Sequence, residues 1–180
     1  MLQLLDDCLS REAAAAFYEA FLELYLFAGF PAAIAAMERL HQKLVEKQLS
    51  FVPWTEPYDV ATFVHRGEQL CRQIYTSVYA KMRQRMQQLS PQLDEWMIVE
   101  GYGKVLSRPG LSVPERELVA VAILTVLNWA PQQYAHLRGA LNVGVSVGQC
   151  AALLNRIASL APEPAVRRAQ EFLHNRRQQQ

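Results

Sequence analysis

The sequence predicts an all-α protein, and three observations carry that expectation. Ala, Leu, Gln, Glu and Arg dominate the composition, whereas Gly and Pro together contribute only 8 and 9 of 180 residues. Apolar residues recur at helical spacing between clear start and stop signals. No stretch alternates apolar and polar residues between turn signals, as a half-buried strand would.

The elements follow in order. Ser10 is a good N-cap for a helix to about Ala28, Gly29 ends it, and Pro31 occupies a first-turn position in a second helix to about Gln48. Leu49 to Pro57 is broken by Pro53 and Pro57 but carries Phe51, Val52 and Trp54. A flexible linker would be polar, so this segment is expected to lie against the body. One long helix is expected from about Asp59 to Gln88, its basic second half (Lys81, Arg83, Arg85) forming a solvated face. Ser90-Pro91 caps a helix through Trp96 to about Val105, and Arg108-Pro109-Gly110 forms a loop. Ser112 to Glu115 and Ser146 to Gln149 both match capping boxes. The first opens an almost wholly apolar helix through Leu127, expected to be buried. Pro131 opens the next helix, which ends near Gly144, and Pro162 and Pro164 start the last.

Composition also narrows function. Lys and Arg total 18 against 17 Asp and Glu, a net charge of +1. That balance argues against nucleic-acid binding, including through Arg167, Arg168, Arg176 and Arg177, because phosphate binding needs clustered excess charge. Cys8, Cys71 and Cys150 are too scattered for a disulfide framework, a zinc site or a CxxC motif. Met1 to Arg11 lacks the pattern of a targeting segment. The longest uncharged stretch, Leu118 to Ala135, contains Asn128, Pro131, Gln132 and Gln133, so it reads as a buried helix pair rather than a membrane span. A cytoplasmic protein with no membrane partner is expected.

Residues 21–40 align without gaps to residues 154–173, with Ala28/Ala161, Pro31/Pro164, Ala32/Ala165, Ala36/Ala169, Glu38/Glu171 and Leu40/Leu173 coinciding. Each copy reads as a helix, a proline-containing corner and a helix.

Candidate chemistry concentrates between residues 108 and 142. Glu117 borders a buried surface, and two helices joined by a short corner would bring it to His136. Trp129 lies near the corner, Gln132 is one turn before His136, and Arg138 and Asn142 share a face. Together they offer an acid/base pair beside a guanidinium for a carboxylate. Each has a purely structural alternative: a first-turn acid, a satisfied core histidine, a surface salt bridge, a helix C-terminal residue.

Arg108-Pro-Gly-Leu-Ser-Val-Pro-Glu-Arg-Glu-Leu-Val119 followed by His136-Leu-Arg-Gly-Ala-Leu-Asn-Val-Gly-Val145 resembles the carboxymuconolactone decarboxylase family, over roughly residues 93–173. Tyr25-Leu-Phe-Ala-Gly-Phe-Pro-Ala-Ala33 resembles the corner that members usually carry after the histidine helix. Here the better copy precedes the core, and the later copy, Ser159 to Ala165, is degraded. The resemblance implies an alkyl hydroperoxidase D-like helical bundle, with residues 1–50 forming an extra half-repeat hairpin and residues 58–180 the core. The hairpin is expected to pack at His136, in the same chain or a neighbour.

The peroxidase branch carries cysteines that would fall at Trp129 and Gln132. Their absence removes thiol-dependent chemistry from that position. The decarboxylase branch implies cofactor-free decarboxylation or proton transfer on a small carboxylated, lactone-type substrate, with no metal. His136 would be the general acid, Glu117 its orienting partner, and Arg108 or Arg138 the carboxylate holder; Trp129, Gln132 and Asn142 would line the site. It also implies a homo-oligomer, trimeric or hexameric. Surplus apolar surface at Phe17, Phe21, Leu24, Phe27 and Phe30 is consistent with an interface. The alternative is a non-catalytic oligomeric scaffold or small-molecule binder that keeps the fold.

Overall fold

A computed structural model describes residues 9–178, so Cys8 lies outside the described residues. Helix α1, Arg11–Glu46, opens at Ser10, whose hydroxyl accepts the Ala13 amide at 3.1 Å. Gly29, at φ 81° and ψ 169°, breaks it into two limbs. A residue with a Cβ resists that backbone region, so glycine makes the corner expected there. Ala14 and Phe21 of the first limb pack with Ala36 and Leu40 of the second. Phe51 closes this small core, its ring edge-on to Tyr18 at 5.4 Å, so the proline-broken segment lies on α1 at that residue, whereas Val52, expected to pack as well, is 94% exposed. By length and composition α1 could cross a membrane, yet its Glu19 and Glu23 are buried against arginines of the body.

Helices α2, Val60–Tyr75, and α3, Tyr79–Leu89, replace the single helix expected over this span. Thr76, at φ 50° and ψ −125°, ends α2 and starts a 3₁₀ turn, Thr76–Val78. Helix α4, Pro91–Trp96, runs on into a π-helical stretch, Met97–Leu106. That stretch crosses α2 at two glycines. A Cβ on Gly67 would sit 2.3 Å from the Ile98 carbonyl oxygen, and one on Gly103 would sit 2.0 Å from that of Phe63. Leu70, Cys71 and Ile74 of α2 pack there with Ile98, Tyr102 and Leu106.

Helices α5, Val113–Val126, and α6, Ala130–Asn142, pair closely, and α7, Val147–Ile157, and α8, Glu163–Arg177, pack across them. Both capping boxes form as expected, at Ser112/Glu115 and Ser146/Gln149. Val121, Leu137, Ala140, Cys150, Leu154 and Ala169 make the main core. The described residues contain no strand, so the bundle is all-α.

Candidate functional site

The capping box fixes the start of α5, which sets the rotation of Glu117 on the following turn. Pairing with α6 then brings Glu117 to His136. Glu117 Oε2 lies 3.1 Å from His136 Nδ1, and both side chains are buried. An ionised Glu117 fixes the ring proton on Nδ1 and leaves Nε2 as the working nitrogen. Nε2 has no hydrogen-bond partner among the described residues. Phe27 of α1 stands edge-on to the ring at 5.3 Å, with an 87° interplanar angle. The N-terminal hairpin therefore reaches His136 within the same chain.

The room for the Glu117 carboxylate is made by Gly139. A Cβ there would come within 2.4 Å of Glu117 Oε2 and 2.7 Å of Ile74 Cγ2. Gly139 also lines a cavity of about 340 Å³ with Ile74, Tyr75, Lys81, Arg85, Tyr134, Arg138 and Asn142, among others. Ala135, directly before His136, lines it too. Neither Glu117 nor His136 lines it; the pair lies behind the part of the wall that Ala135 and Gly139 form.

Three cations edge this space. No carboxylate pairs with Lys81, Arg85 or Arg138 among the described residues. Burial is the main cause that pushes the Tyr75 hydroxyl up to about 12, so it is a neutral donor at physiological pH. Asn142 lines the cavity but gives its Nδ2 to the Ile74 carbonyl at 2.8 Å, fixing α6 to α2.

The remaining expected site residues fall elsewhere. Arg108 bonds both Glu19 oxygens, with Nε to Oε2 and Nη2 to Oε1 each at 2.9 Å, and it lies over the Trp54 ring. Its guanidinium is committed to the fold and does not line the cavity. Trp129, 57% exposed, and Gln132, also exposed, do not line it either. One position on, Gln133 is buried and bonds Thr125 Oγ1 at 2.8 Å and the Ala165 carbonyl at 3.0 Å. A one-residue step turns a helical side chain by about 100°, enough to trade solvent for core.

Sequence reasoning missed Arg116, which is 2% exposed. It donates to Glu23 Oε1 at 2.8 Å, to Glu19 Oε2 at 3.0 Å, and to the Arg108 and Pro109 carbonyls. Its local sequence, between Glu115 and Glu117, reads as an ordinary exposed helix arginine. Its acidic partners lie more than 90 positions away, so no local pattern could reveal them. Lys81 and Arg85 were legible only as a wet helix face, because the turn at Thr76 that aims them was not foreseen.

The buried thiols offer no nucleophile. Burial pushes Cys71 up to about 12 and Cys150 up to about 11, keeping both protonated. No group of three or more His, Cys, Asp or Glu side chains is placed for a metal among the described residues.

Residues 94–175 match the carboxymuconolactone decarboxylase family. The match covers 82 of the 180 residues. The matched region holds Arg108, Glu117, Trp129, Gln132, His136, Arg138 and Asn142, whereas Glu19, Glu23, Phe27, Tyr75, Lys81 and Arg85 lie outside it. No curated protein matches the chain in sequence.

Proposed function

We propose that the chain is a cofactor-free acid/base enzyme of the carboxymuconolactone decarboxylase kind, acting on a small carboxylated substrate. The buried Glu117–His136 hydrogen bond carries the reading, because it leaves one imidazole nitrogen unpaired, one residue from the wall of a cavity edged with cations.

In the proposed reaction, Arg138 holds a substrate carboxylate, with Lys81 and Arg85 adding positive charge. A second carboxylate leaves as CO₂. The electrons of the broken C–C bond pass into the conjugated carbonyl system of the lactone. The imidazolium of His136 then delivers a proton from Nε2 to carbon, and the ring recovers a proton from solvent. Glu117 holds the ring and stabilises its charged form. Arg108, being paired with Glu19, has no part in this scheme. A cytoplasmic homo-oligomer is part of the proposal. Phe21 is buried in the hairpin and Phe27 covers His136, which leaves Phe30, 67% exposed, as the outward member.

The test is loss of carboxymuconolactone absorbance with purified protein. His136→Ala should slow turnover by about 10²- to 10⁴-fold. Wild-type protein no faster than that variant would overturn the enzyme reading. The Phe27 ring lying against His136 favours the second reading, a binder without catalysis. Saturable substrate binding without turnover would support it.

A further inference from the structure

Glu19, Glu23, Arg108, Arg116, Glu117 and His136 form one buried array where α1 meets α5 and α6. It contains three carboxylates, two guanidiniums and one imidazole. With every carboxylate ionised and the imidazole neutral, these six groups sum to one negative charge; the cations Lys81, Arg85 and Arg138, which pair with no carboxylate among the described residues, line the cavity beside the pair, and none of them is among the charges acting on Glu23. A buried negative charge is costly, so the array favours holding one extra proton.

Two groups can take that proton. One is His136, already bonded to Glu117. The other is Glu23, which is 0% exposed. Its Oε1 accepts from Arg116, but its Oε2 is buried without any hydrogen-bond partner. Arg116 cannot compensate Glu23 fully, since its guanidinium also serves Glu19 and two backbone carbonyls. Glu23 and Phe27 are four residues apart on α1 and so share a face. The first touches Arg116, the neighbour of Glu117, and the second touches His136.

We propose that Glu23 is a positioning residue for the acid/base pair: it is the alternative seat of the array's extra proton, and its ionisation favours the imidazolium of His136. The proposal rests on the acid/base reading of Glu117 and His136. Burial pushes the Glu23 carboxyl up to about 8; Arg116 opposes that rise, and the negative charges of Glu117 and Glu19 add to it. Arg116 and Glu117 face Glu23 from α5, and Glu19 faces it from its own helix. Arg108 joins through Glu19, and His136 on α6 joins through Glu117. Below that range Glu23 is neutral. Above it Glu23 adds a negative charge beside Glu117. Coupled sites of this kind titrate together.

The test is an NMR titration of the full chain from pH 5 to 10, with labelled glutamate carboxyls and histidine rings. His136 is assigned with His136→Gln. One glutamate carboxyl should titrate near pH 8, and the His136 ring signals should move in the same step. Glu23→Gln should abolish both the carboxyl signal and that shared step. The proposal is overturned if every glutamate titrates below pH 6, or if the shared step survives in Glu23→Gln. If that variant does not fold, the wild-type titration decides: carboxyl and ring steps that fail to coincide overturn the proposal. None of these readings needs turnover. A protein inactive on the lactone with coincident steps loses the decarboxylase reading alone, whereas an active protein without them loses only the role of Glu23.

Discussion

Replacing Gly139 with alanine isolates the geometry that makes the Glu117–His136 pair. Two effects oppose each other. Alanine in a helix interior is favoured over glycine by about 1 kcal/mol. Against that, the new Cβ would lie 2.4 Å from Glu117 Oε2 and 2.7 Å from Ile74 Cγ2, about 1 Å inside ordinary contact. Both neighbours are buried, and Ile74 is β-branched and stiff. The carboxylate is the group that can swing. Moving it by about 1 Å from its present 3.1 Å removes the bond to Nδ1, and a hydrogen bond involving an ionised group contributes about 1.5–3 kcal/mol. With overpacking of about 1–3 kcal/mol, the steric side prevails. The net loss should be about 1.5–5 kcal/mol, lowering Tm by roughly 3–20 °C for a chain of this size. Calorimetry measures the loss, and the His136 ring signals report the pair. A Tm raised by the helix preference of alanine, with unchanged His136 signals, would show that Gly139 does not make room for the carboxylate.

Two other outcomes are expected. Gly67→Ala should destabilise more than Gly139→Ala, because its Cβ meets backbone on the π-helical stretch, at the Ile98 oxygen and the Gly103 nitrogen, 2.3 and 2.8 Å away; urea denaturation giving a smaller loss would contradict the crossing described for α2. Glu23→Gln should flatten the dependence of stability on pH. The folded-state carboxyl titrates near 8, above the ordinary 4.5, so the native chain binds the extra proton between those values and wild-type stability falls as pH rises through that window, at up to about 1.4 kcal/mol per pH unit. Denaturation midpoints at pH 5, 6.5 and 8 that slope equally in both proteins would refute this.

The boundaries of most elements were legible because caps and corners are local. Ser10, Gly29, Ser112 and Ser146 act within three or four residues, and each does so here. The break at Thr76 was not legible, since Thr-Ser-Val only weakly disfavours helix and the turn depends on packing around it. The π-helical stretch escaped for a related reason: Gly67 meets Gly103 from 36 positions away. Within the site, Glu117 and His136 were readable from their spacing. Arg108 and Arg116 were not distinguishable, because the acids that claim both arginines come from α1. Gln132 and Gln133 show the limit of helical phase reading, where a single position decides between solvent and core.

The Gly29 corner has a consequence for how this domain can be cut and inherited. Glu19, Glu23 and Phe27 all sit on the first limb of α1, ahead of the matched region, yet they supply the acids for Arg116 and a ring against His136. A fragment trimmed to residues 94–175 would keep the matched region while taking both carboxylate partners from Arg116. The segment recognisable as a family domain is therefore smaller than the unit that can stand alone. In this chain the helix ahead of that segment and the segment itself have to be exchanged, expressed and engineered as one piece.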